Sequence, residues 1–233
     1  MKWRSLQESS PETDARPLRE ILLERKQLMA KYVPAETQAV HARAIQELEQ
    51  TGVAAGASSI GDRAPTFELN DQHGKLVSSV DLLAKGRLVI SFIRGRWDPF
   101  CCGQMEAMNQ VLPQIVGADA SFVASSPQTV QQSFFMADQH KLRFPLLSDS
   151  RNAVARQFGL VNRVPEYQEA IYRRALINLP FINGEDSWEL PIPATYILDR
   201  DGIVVFASAN PDYTERLEPA ELLQRLRENS PRW

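Results

Sequence analysis

The chain has 233 residues, of which 43% are hydrophobic and 24% are charged, and its net charge is −3 at pH 7. This length and balance predict one soluble globular domain, or one domain with an appendage, that buries a core without disulfides. The small net charge and the lack of a long apolar run give no reason to expect nucleic acid or a membrane as a partner. Two adjacent cysteines cannot link distant segments, so we expect reduced thiols. Because the N-terminus also lacks the apolar core of a secretory signal, we expect a cytoplasmic protein.

Residues 1–56 differ in character from the rest and predict a helical extension made of two amphipathic helices. In residues 17–32 the apolar side chains recur at helical spacing, whereas Arg25 and its charged neighbours are expected to face water. Pro34 opens a second helix, which ends at Thr51. Helices this short are marginal in isolation, so we expect them to pack on the main domain. Two other roles stay open, an arm in a dimer and a lid over a site.

Residues 57–233 predict a single α/β domain with a mixed central sheet flanked by helices. The apolar and β-branched residues 88–93 indicate a buried central strand, which is followed by a long helix that starts at Asp98 and Pro99. Alternation, helical spacing and turn signals predict the later elements: strands at 121–124, 145–149, 195–198 and 203–207, and helices at 128–140, 152–158, 167–176 and 219–227.

The start of this long helix brings together the residues best suited to chemistry. The side chain of Asp98 can accept hydrogen bonds from the first free backbone N–H groups, and Pro99 suits the first helical position. Cys101 and Cys102 then lie in the first turn, where the positive end of the helix dipole favours a thiolate. The carboxylate of Asp98 works against this, because it repels a thiolate and raises the pKa of the Cys101 thiol. Cys102 is expected to face the core as a small packing residue.

The histidines and the remaining motifs argue against other kinds of site. His73 lies in a predicted turn and His140 lies near the C-terminus of a predicted helix, so both are expected to be structural. No histidine lies near Asp98 in the sequence, which argues against a metal site built on the two cysteines. The chain also lacks a phosphate-binding loop and a dinucleotide fingerprint, so we expect no cofactor.

Several segments resemble one known family. Residues 88–108 read LVISFIRGRWDPFCCGQMEAM, and they are followed by FPLLSD at 144–149, ARQFGL at 155–160 and PIPATYILDRDG at 191–202. In order and spacing these segments resemble peroxiredoxins of the alkyl hydroperoxide reductase/thiol-specific antioxidant (AhpC/TSA) family. They are most similar to a peroxiredoxin-like branch that carries a two-cysteine motif after Arg-Gly-Arg-Trp. The resemblance extends over about residues 61–229 and implies a thioredoxin-like fold.

Three departures from the family pattern affect the expected site. Members of that branch carry a C-x-x-C pair, whereas this chain has Asp98 in place of the first cysteine. Ordinary peroxiredoxins carry P-x-x-x-T-x-x-C, and that pattern places Arg94 at the proline and Asp98 at the threonine. Cys101 satisfies both patterns, so the resemblance implies that Cys101 is the nucleophile. Peroxiredoxins have an arginine at the position of Pro193, whereas thioredoxins have a cis-proline there, and we expect a cis bond before Pro193.

The resemblance implies a thiol peroxidase that reduces hydrogen peroxide or organic hydroperoxides with Cys101. Arg94 or Arg96 could supply the guanidinium that peroxiredoxins have further along the chain, and only one of them is expected to point inward. Trp97 completes the Arg-Gly-Arg-Trp segment and counts, with Pro193, among the expected site residues. Without a thiol at position 98, an external thiol or a thioredoxin-like reductant must reduce the oxidised cysteine. The protein could also form a homodimer.

Two alternatives to an active peroxidase stay open. In one, the chain is a non-catalytic binding or regulatory relative with a thioredoxin-like fold, because fold alone does not fix activity. In the other, it is a C-x-x-C enzyme disabled at position 98. Asp98 accordingly has three candidate roles: a helix cap alone, a general base or proton relay, or the mark of abandoned redox chemistry.

Overall fold

The computed structural model describes residues 16–228, and the N-terminal residues that bear on a secretory signal lie mostly outside this range. The helices are α1 Leu18–Tyr32, α2 Ala35–Gln50, α3 Ser79–Leu83, α4 Pro99–Gly117, α5 Val130–Gln139, α6 Ala153–Gln157, α7 Glu166–Arg174, α8 Leu179–Asn183 and α9 Pro219–Glu228. The strands are β1 Glu68–Asn70, β2 Leu76–Ser78, β3 Arg87–Phe92, β4 Ala120–Ser126, β5 Leu146–Ser148, β6 Val161–Arg163, β7 Glu189–Pro191, β8 Ala194–Leu198 and β9 Val204–Ala209. Within the described range, no helix is both long and apolar enough to cross a membrane.

Seven strands form one mixed sheet in the order β2-β1-β5-β4-β3-β8-β9. The central strand β3 runs parallel to β4 and antiparallel to β8, and β6 pairs separately with β7. The predicted mixed sheet flanked by helices is therefore confirmed. Helix α4 begins just beyond the C-terminal end of β3, the edge at which α/β sheets usually bind ligands.

Side chains of β3 alternate between two hydrophobic cores, one on each face of the sheet. Val89, together with Ile93 just beyond the strand, joins the core formed with α4, α5 and α9. Leu88, Ile90 and Phe92 join the core on the other face. Every residue of β3 is buried, as expected for a strand covered on both sides.

Helices α1 and α2 pack on the rest of the chain, α1 against α4 and α2 against α7. The apolar side of α1 is buried as predicted at Leu18 and Leu22, but Arg25 is also buried, so the prediction that it faces water is wrong. The Arg25 guanidinium donates to the carbonyl of Pro99 and lies 3.7 Å from Glu106 Oε2. These partners offset the cost of burying its charge. The boundary between the extension and the main domain stays a prediction.

The peptide bond before Pro193 is trans, so the prediction of a cis bond is wrong, and residues 16–228 contain no cis peptide bond. The trans form is the usual one for a bond that precedes proline. Here Pro193 joins β7 to β8, and its carbonyl accepts a hydrogen bond from the Asn210 N–H at 3.1 Å. The chain therefore passes from β7 into β8 through a trans bond.

Candidate functional site

The turn from β3 into α4 fixes Cys101 in the first turn of the helix. Asp98 caps the helix as predicted, because its Oδ1 accepts from the Phe100 N–H at 2.9 Å, and Pro99 takes the first helical position. Gly95 has a φ of 140°, a backbone conformation that residues with a side chain rarely adopt. This glycine lets the chain turn between the strand and the cap.

The Cys101 sulfur is fully buried, yet its nearest partners are polar. The thiol donates to Asp98 Oδ2 at 3.1 Å. The sulfur accepts from Arg216 Nη2 at 3.2 Å and from the backbone N–H of Arg94 at 3.4 Å. One acceptor and two donors therefore surround it, and donors of this kind stabilise a negative charge that develops on sulfur.

Asp98 Oδ2 is the centre of this charged cluster. It pairs with Arg216 Nη2 at 3.2 Å and with Arg94 Nη1 at 3.5 Å, in addition to the Cys101 thiol. None of the three charged side chains is more than 5% exposed. Two cations on one carboxylate leave net positive charge beside the sulfur, and loss of any partner would leave a buried charge uncompensated.

The pKa of the Cys101 thiol reports the balance of these groups. Burial raises this pKa most and the Asp98 carboxylate raises it further, whereas Arg216 and Arg94 lower it, and the result is a pKa of about 11. At neutral pH the sulfur is therefore a thiol that donates to Asp98. The prediction that the Asp98 carboxylate raises the pKa of the Cys101 thiol is confirmed. The prediction that the helix start favours a thiolate is wrong for the resting protein, because burial and the carboxylate outweigh the two arginines that lower the pKa.

Arg94 and Arg96 differ in direction, as predicted. Arg94 is 4% exposed and faces Asp98. Arg96 is partly exposed and donates through Nε to Gln132 Oε1 at 2.7 Å. The guanidinium that contacts the sulfur comes from neither of them but from Arg216, which the sequence analysis did not single out.

Aromatic rings hold the Arg94 guanidinium in place. Its central carbon lies 4.7 Å from the ring centroid of Trp97 and 3.8 Å from that of Tyr213. Its Nη2 donates to the hydroxyl of Tyr172, whose ring centroid is 5.0 Å from that of Trp97. Trp97 therefore reaches the site through Arg94. Trp188 is buried in a small hydrophobic cluster with Tyr172.

Cys102 lies in a different environment from its neighbour. It belongs to the hydrophobic core, and its thiol donates to the backbone carbonyl of Arg96 at 3.3 Å. Burial raises the pKa of the Cys102 thiol far above its usual range. Both cysteines are free thiols, and the predicted packing role of Cys102 is confirmed.

Four further residues of the site come from segments far from α4 in the sequence. Tyr172 lies on α7, Tyr213 and Arg216 lie between β9 and α9, and His41 lies on α2. His41 Nδ1 is 3.2 Å from the Tyr213 hydroxyl. Burial, followed by the nearby charge of Arg94, lowers the pKa of His41 to about 4. No local sequence pattern links these residues to the cysteine, which is why sequence reasoning missed them.

Two cavities adjoin the cluster, and Pro193 lines both. One, of about 380 Å³, is lined largely by apolar residues together with Arg94 and Tyr213. The other, of about 190 Å³, is lined mainly by polar residues, including Gln104 and Arg216. Arg94 lines the larger cavity and Arg216 lines the smaller one, and both arginines contact the pair formed by Cys101 and Asp98. Each cavity is therefore connected to this pair by one arginine side chain.

The two histidines expected to be structural lie away from the cysteine. His73 is exposed in a turn, and His140 ends α5, with its Nδ1 2.6 Å from Glu106 Oε1. Among residues 16–228, no group of three or more His, Cys, Asp or Glu side chains is arranged to hold a metal ion.

Comparison with known proteins shows which family the region around Cys101 matches. The family model for the AhpC/TSA family matches residues 60–207, which include Cys101 and Pro193 but neither His41 nor Arg216. Peroxiredoxin Q, chloroplastic, of Triticum aestivum is 26% identical over 178 residues, which cover 76% of this chain and 71% of the relative. Peroxiredoxin Q, chloroplastic, of Oryza sativa subsp. japonica is 27% identical over 177 residues, which cover 75% of this chain and 70% of the relative.

A solved structure is similar over nearly its whole length. The crystal structure of peroxidoxin BcpB from Mycobacterium tuberculosis aligns with a TM-score of 0.58 and 23% identity, and the alignment covers 74% of this chain and 98% of that chain. This likeness confirms the predicted thioredoxin-like fold.

Proposed function

The chain belongs to the AhpC/TSA family, and on this premise we propose that it is a thiol peroxidase that reduces hydrogen peroxide or organic hydroperoxides with Cys101. The observation that carries the proposal is the position of the Cys101 sulfur, which lies within 3.4 Å of one carboxylate oxygen and two nitrogen donors. These groups can take a proton from the sulfur and stabilise the charge that replaces it.

Asp98 acts as the proton acceptor in the first step. Because the resting sulfur is protonated and already donates to Asp98 Oδ2, proton transfer gives a thiolate that faces Arg216 and the backbone N–H of Arg94. The thiolate attacks the hydrogen-bearing oxygen of the peroxide R′–OOH, so that an S–O bond forms while the O–O bond breaks. The leaving oxygen takes the proton back from Asp98. The thiol and R′–OOH thereby become a sulfenic acid and R′–OH.

The sulfenic acid is then reduced by thiols from outside the chain. Cys102 is adjacent and buried, and a disulfide between sequence neighbours requires strained geometry. An external thiol attacks the oxidised sulfur of Cys101, which releases water and leaves a mixed disulfide. A second thiol attacks the reductant's sulfur in that disulfide, so that Cys101 leaves as a thiol and the two reductant sulfurs are joined. A small thiol or a thioredoxin-like protein can supply both.

The substrate approaches through one of the two cavities beside the cluster. Arg94 and Pro193 line the larger, mainly apolar cavity, which suits the organic part of a hydroperoxide. Arg216 lines the smaller, polar cavity, which suits hydrogen peroxide. In either case a small displacement of the side chains around the sulfur must open the last contact, since Cys101 is fully buried.

Peroxide consumption with dithiothreitol as reductant tests the proposal. We expect Cys101→Ser to abolish consumption. We expect Arg216→Gln to slow it by about 10- to 100-fold, as follows from the loss of a hydrogen bond to a charged group. The matched control is Arg200→Gln, because Arg200 is 63% exposed and pairs only with Asp119 among the ion pairs of the described residues. Consumption by Cys101→Ser at the wild-type rate would contradict the proposal.

A non-catalytic binding module is the second candidate, and the complete burial and raised pKa of Cys101 favour it. Such a module would show slow alkylation of Cys101 at neutral pH and no sulfenic acid after peroxide treatment. The third candidate is a C-x-x-C enzyme that is disabled at position 98. A large gain of thiol-dependent activity in Asp98→Cys would indicate this candidate.

A further inference from the structure

We propose that helix α2 forms part of the Cys101 site and that His41 is a positioning residue, which holds Tyr213 against the Arg94 guanidinium. The inference rests on the proposed role of Cys101 as the nucleophile. It assigns a function to a helix that lies outside the region matched by the family model.

His41, Tyr213 and Gln168 form a triangle of polar contacts. His41 Nδ1 lies 3.2 Å from the Tyr213 hydroxyl and 3.1 Å from Gln168 Nε2, and Gln168 Nε2 donates to the same hydroxyl at 2.9 Å. Tyr213 and Gln168 are both less than 10% exposed. A buried tyrosine hydroxyl needs such partners, so the triangle fixes where the ring of Tyr213 lies.

The contact with Gln168 determines the protonation state of His41. An amide nitrogen can only donate, so Nδ1 of His41 accepts from Gln168, and the ring proton is on Nε2. A neutral His41 is consistent with its lowered pKa, which results from burial and from the charge of Arg94. His41 therefore acts here as a hydrogen-bond acceptor, a role that an amide oxygen can also perform.

Two sets of contacts connect Tyr213 to the Cys101 site, one through Arg94 and one through Arg216. The ring of Tyr213 lies 3.8 Å from the Arg94 guanidinium, which pairs with Asp98 at 3.5 Å. The Tyr213 carbonyl accepts from Arg216 Nη1, while Nη2 of the same arginine contacts the Cys101 sulfur. A displaced Tyr213 would therefore disturb both guanidinium groups of the cluster.

A purely structural role, in which His41 only docks α2 onto α7, explains less. Docking is already provided further along α2, where Glu47 accepts from the Tyr167 hydroxyl and Arg43 lies 4.3 Å from the Tyr167 ring centroid. Ala44, on the same helix, is buried as well. His41 also contacts α7 through Gln168 Nε2, but its contact with the Tyr213 hydroxyl reaches the segment between β9 and α9, which docking of α2 onto α7 does not require.

Variants in a Cys102→Ser background test the inference, because Cys101 is then the only thiol. His41→Leu removes the acceptor, His41→Asn keeps one near the position of Nδ1, and Tyr213→Phe removes the hydroxyl but keeps the ring. His73→Leu is the control, since His73 is an exposed histidine in a turn. The rates of peroxide reaction and of iodoacetamide alkylation at Cys101 are measured on the folded proteins.

We expect His41→Leu and Tyr213→Phe each to change the alkylation rate, and to slow the peroxide reaction, by about 2- to 10-fold, as for one lost hydrogen bond. We expect His41→Asn to keep both rates within about twofold of the parent. We expect the double variant His41→Leu/Tyr213→Phe to react with peroxide no more slowly than the slower of the two single variants. Unchanged rates in folded His41→Leu, or a failure of His41→Asn to restore them, would overturn the inference. If the parent does not react with peroxide, the proposed function fails, but the alkylation rates still decide the role of His41.

Discussion

At the residue scale, the two carboxylate oxygens of Asp98 have different roles. Oδ1 caps α4 by accepting from the Phe100 N–H, a role that its place before Pro99 predicts. Oδ2 accepts from the Cys101 thiol and lies within ion-pair distance of Arg94 and Arg216. The cap follows from two neighbouring residues, and the effect on the Cys101 thiol follows from the three-residue spacing. The pairing with Arg216 depends on a residue more than a hundred positions away, so it could not be argued from the sequence.

Replacement of Asp98 by asparagine separates these roles. The amide oxygen of the asparagine can still cap the helix, but the negative charge that raises the pKa of Cys101 is gone, while both arginines remain. We expect the pKa of Cys101 to fall below about 11, and each unit of decrease raises the thiolate fraction at neutral pH about tenfold. The pH dependence of alkylation measures this change, with Asp138→Asn, an exposed aspartate, as the control.

The peroxide reaction of the same variant tests proton acceptance. If Asp98 takes the thiol proton, peroxide reduction by Asp98→Asn rises less than alkylation does, because the leaving oxygen lacks a proton donor. An equal rise in both rates would assign Asp98 to capping and charge alone. An unchanged or higher pKa in Asp98→Asn would contradict the electrostatic account of the thiol.

At the scale of elements, α1 joins two parts of the site. Its buried Arg25 contacts the first turn of α4 at Pro99, and the helices approach closely at Gly103, where an added Cβ would lie 2.8 Å from Arg25 Nη1. Glu218 accepts from the Leu18 N–H at 3.1 Å at the start of α1. The helix thereby ties the start of α4 to the segment that follows β9.

We expect Arg25→Met to lower the free energy of unfolding by about 3 kcal/mol, because it leaves the buried carboxylate of Glu106 without its arginine. Arg19→Met, at an exposed position of the same helix, should change the free energy by no more than about 0.5 kcal/mol. Urea unfolding at neutral pH measures both. Equal stability of the two variants would show that α1 is held by its apolar side alone.

Local signals predicted most elements well, and the wrong placement of Arg25 has a structural cause. Strand β3 and helix α4 follow from an apolar run and a capping pair, and both ends of β3 and the start of α4 lie within one residue of the predicted positions. Arg25 was placed in water because a charged residue beside an apolar stripe usually faces solvent. Its partners lie on α4, and pairing between distant elements leaves no mark in the sequence of either one.

At the scale of the whole molecule, the site is assembled from segments spread over most of the chain. Cys101 and Asp98 lie within the region that the family model matches, whereas His41 and Arg216 lie on either side of it. The sequence resemblance therefore predicted the fold class and pointed to Cys101 as the proposed nucleophile, but it could not predict the arginine in contact with the sulfur. At Pro193, transfer of the thioredoxin pattern gave the wrong peptide geometry.

The central claim is that the buried thiol of Cys101 reacts with peroxide, and trapping of its sulfenic acid tests this most directly. The folded protein is treated with equimolar hydrogen peroxide and dimedone at neutral pH, and the modified cysteine is located by peptide mass spectrometry. We predict a dimedone adduct at Cys101 in the wild type and in Cys102→Ser, and no adduct in Cys101→Ser. An adduct confined to Cys102, or an adduct only after unfolding, would contradict the account.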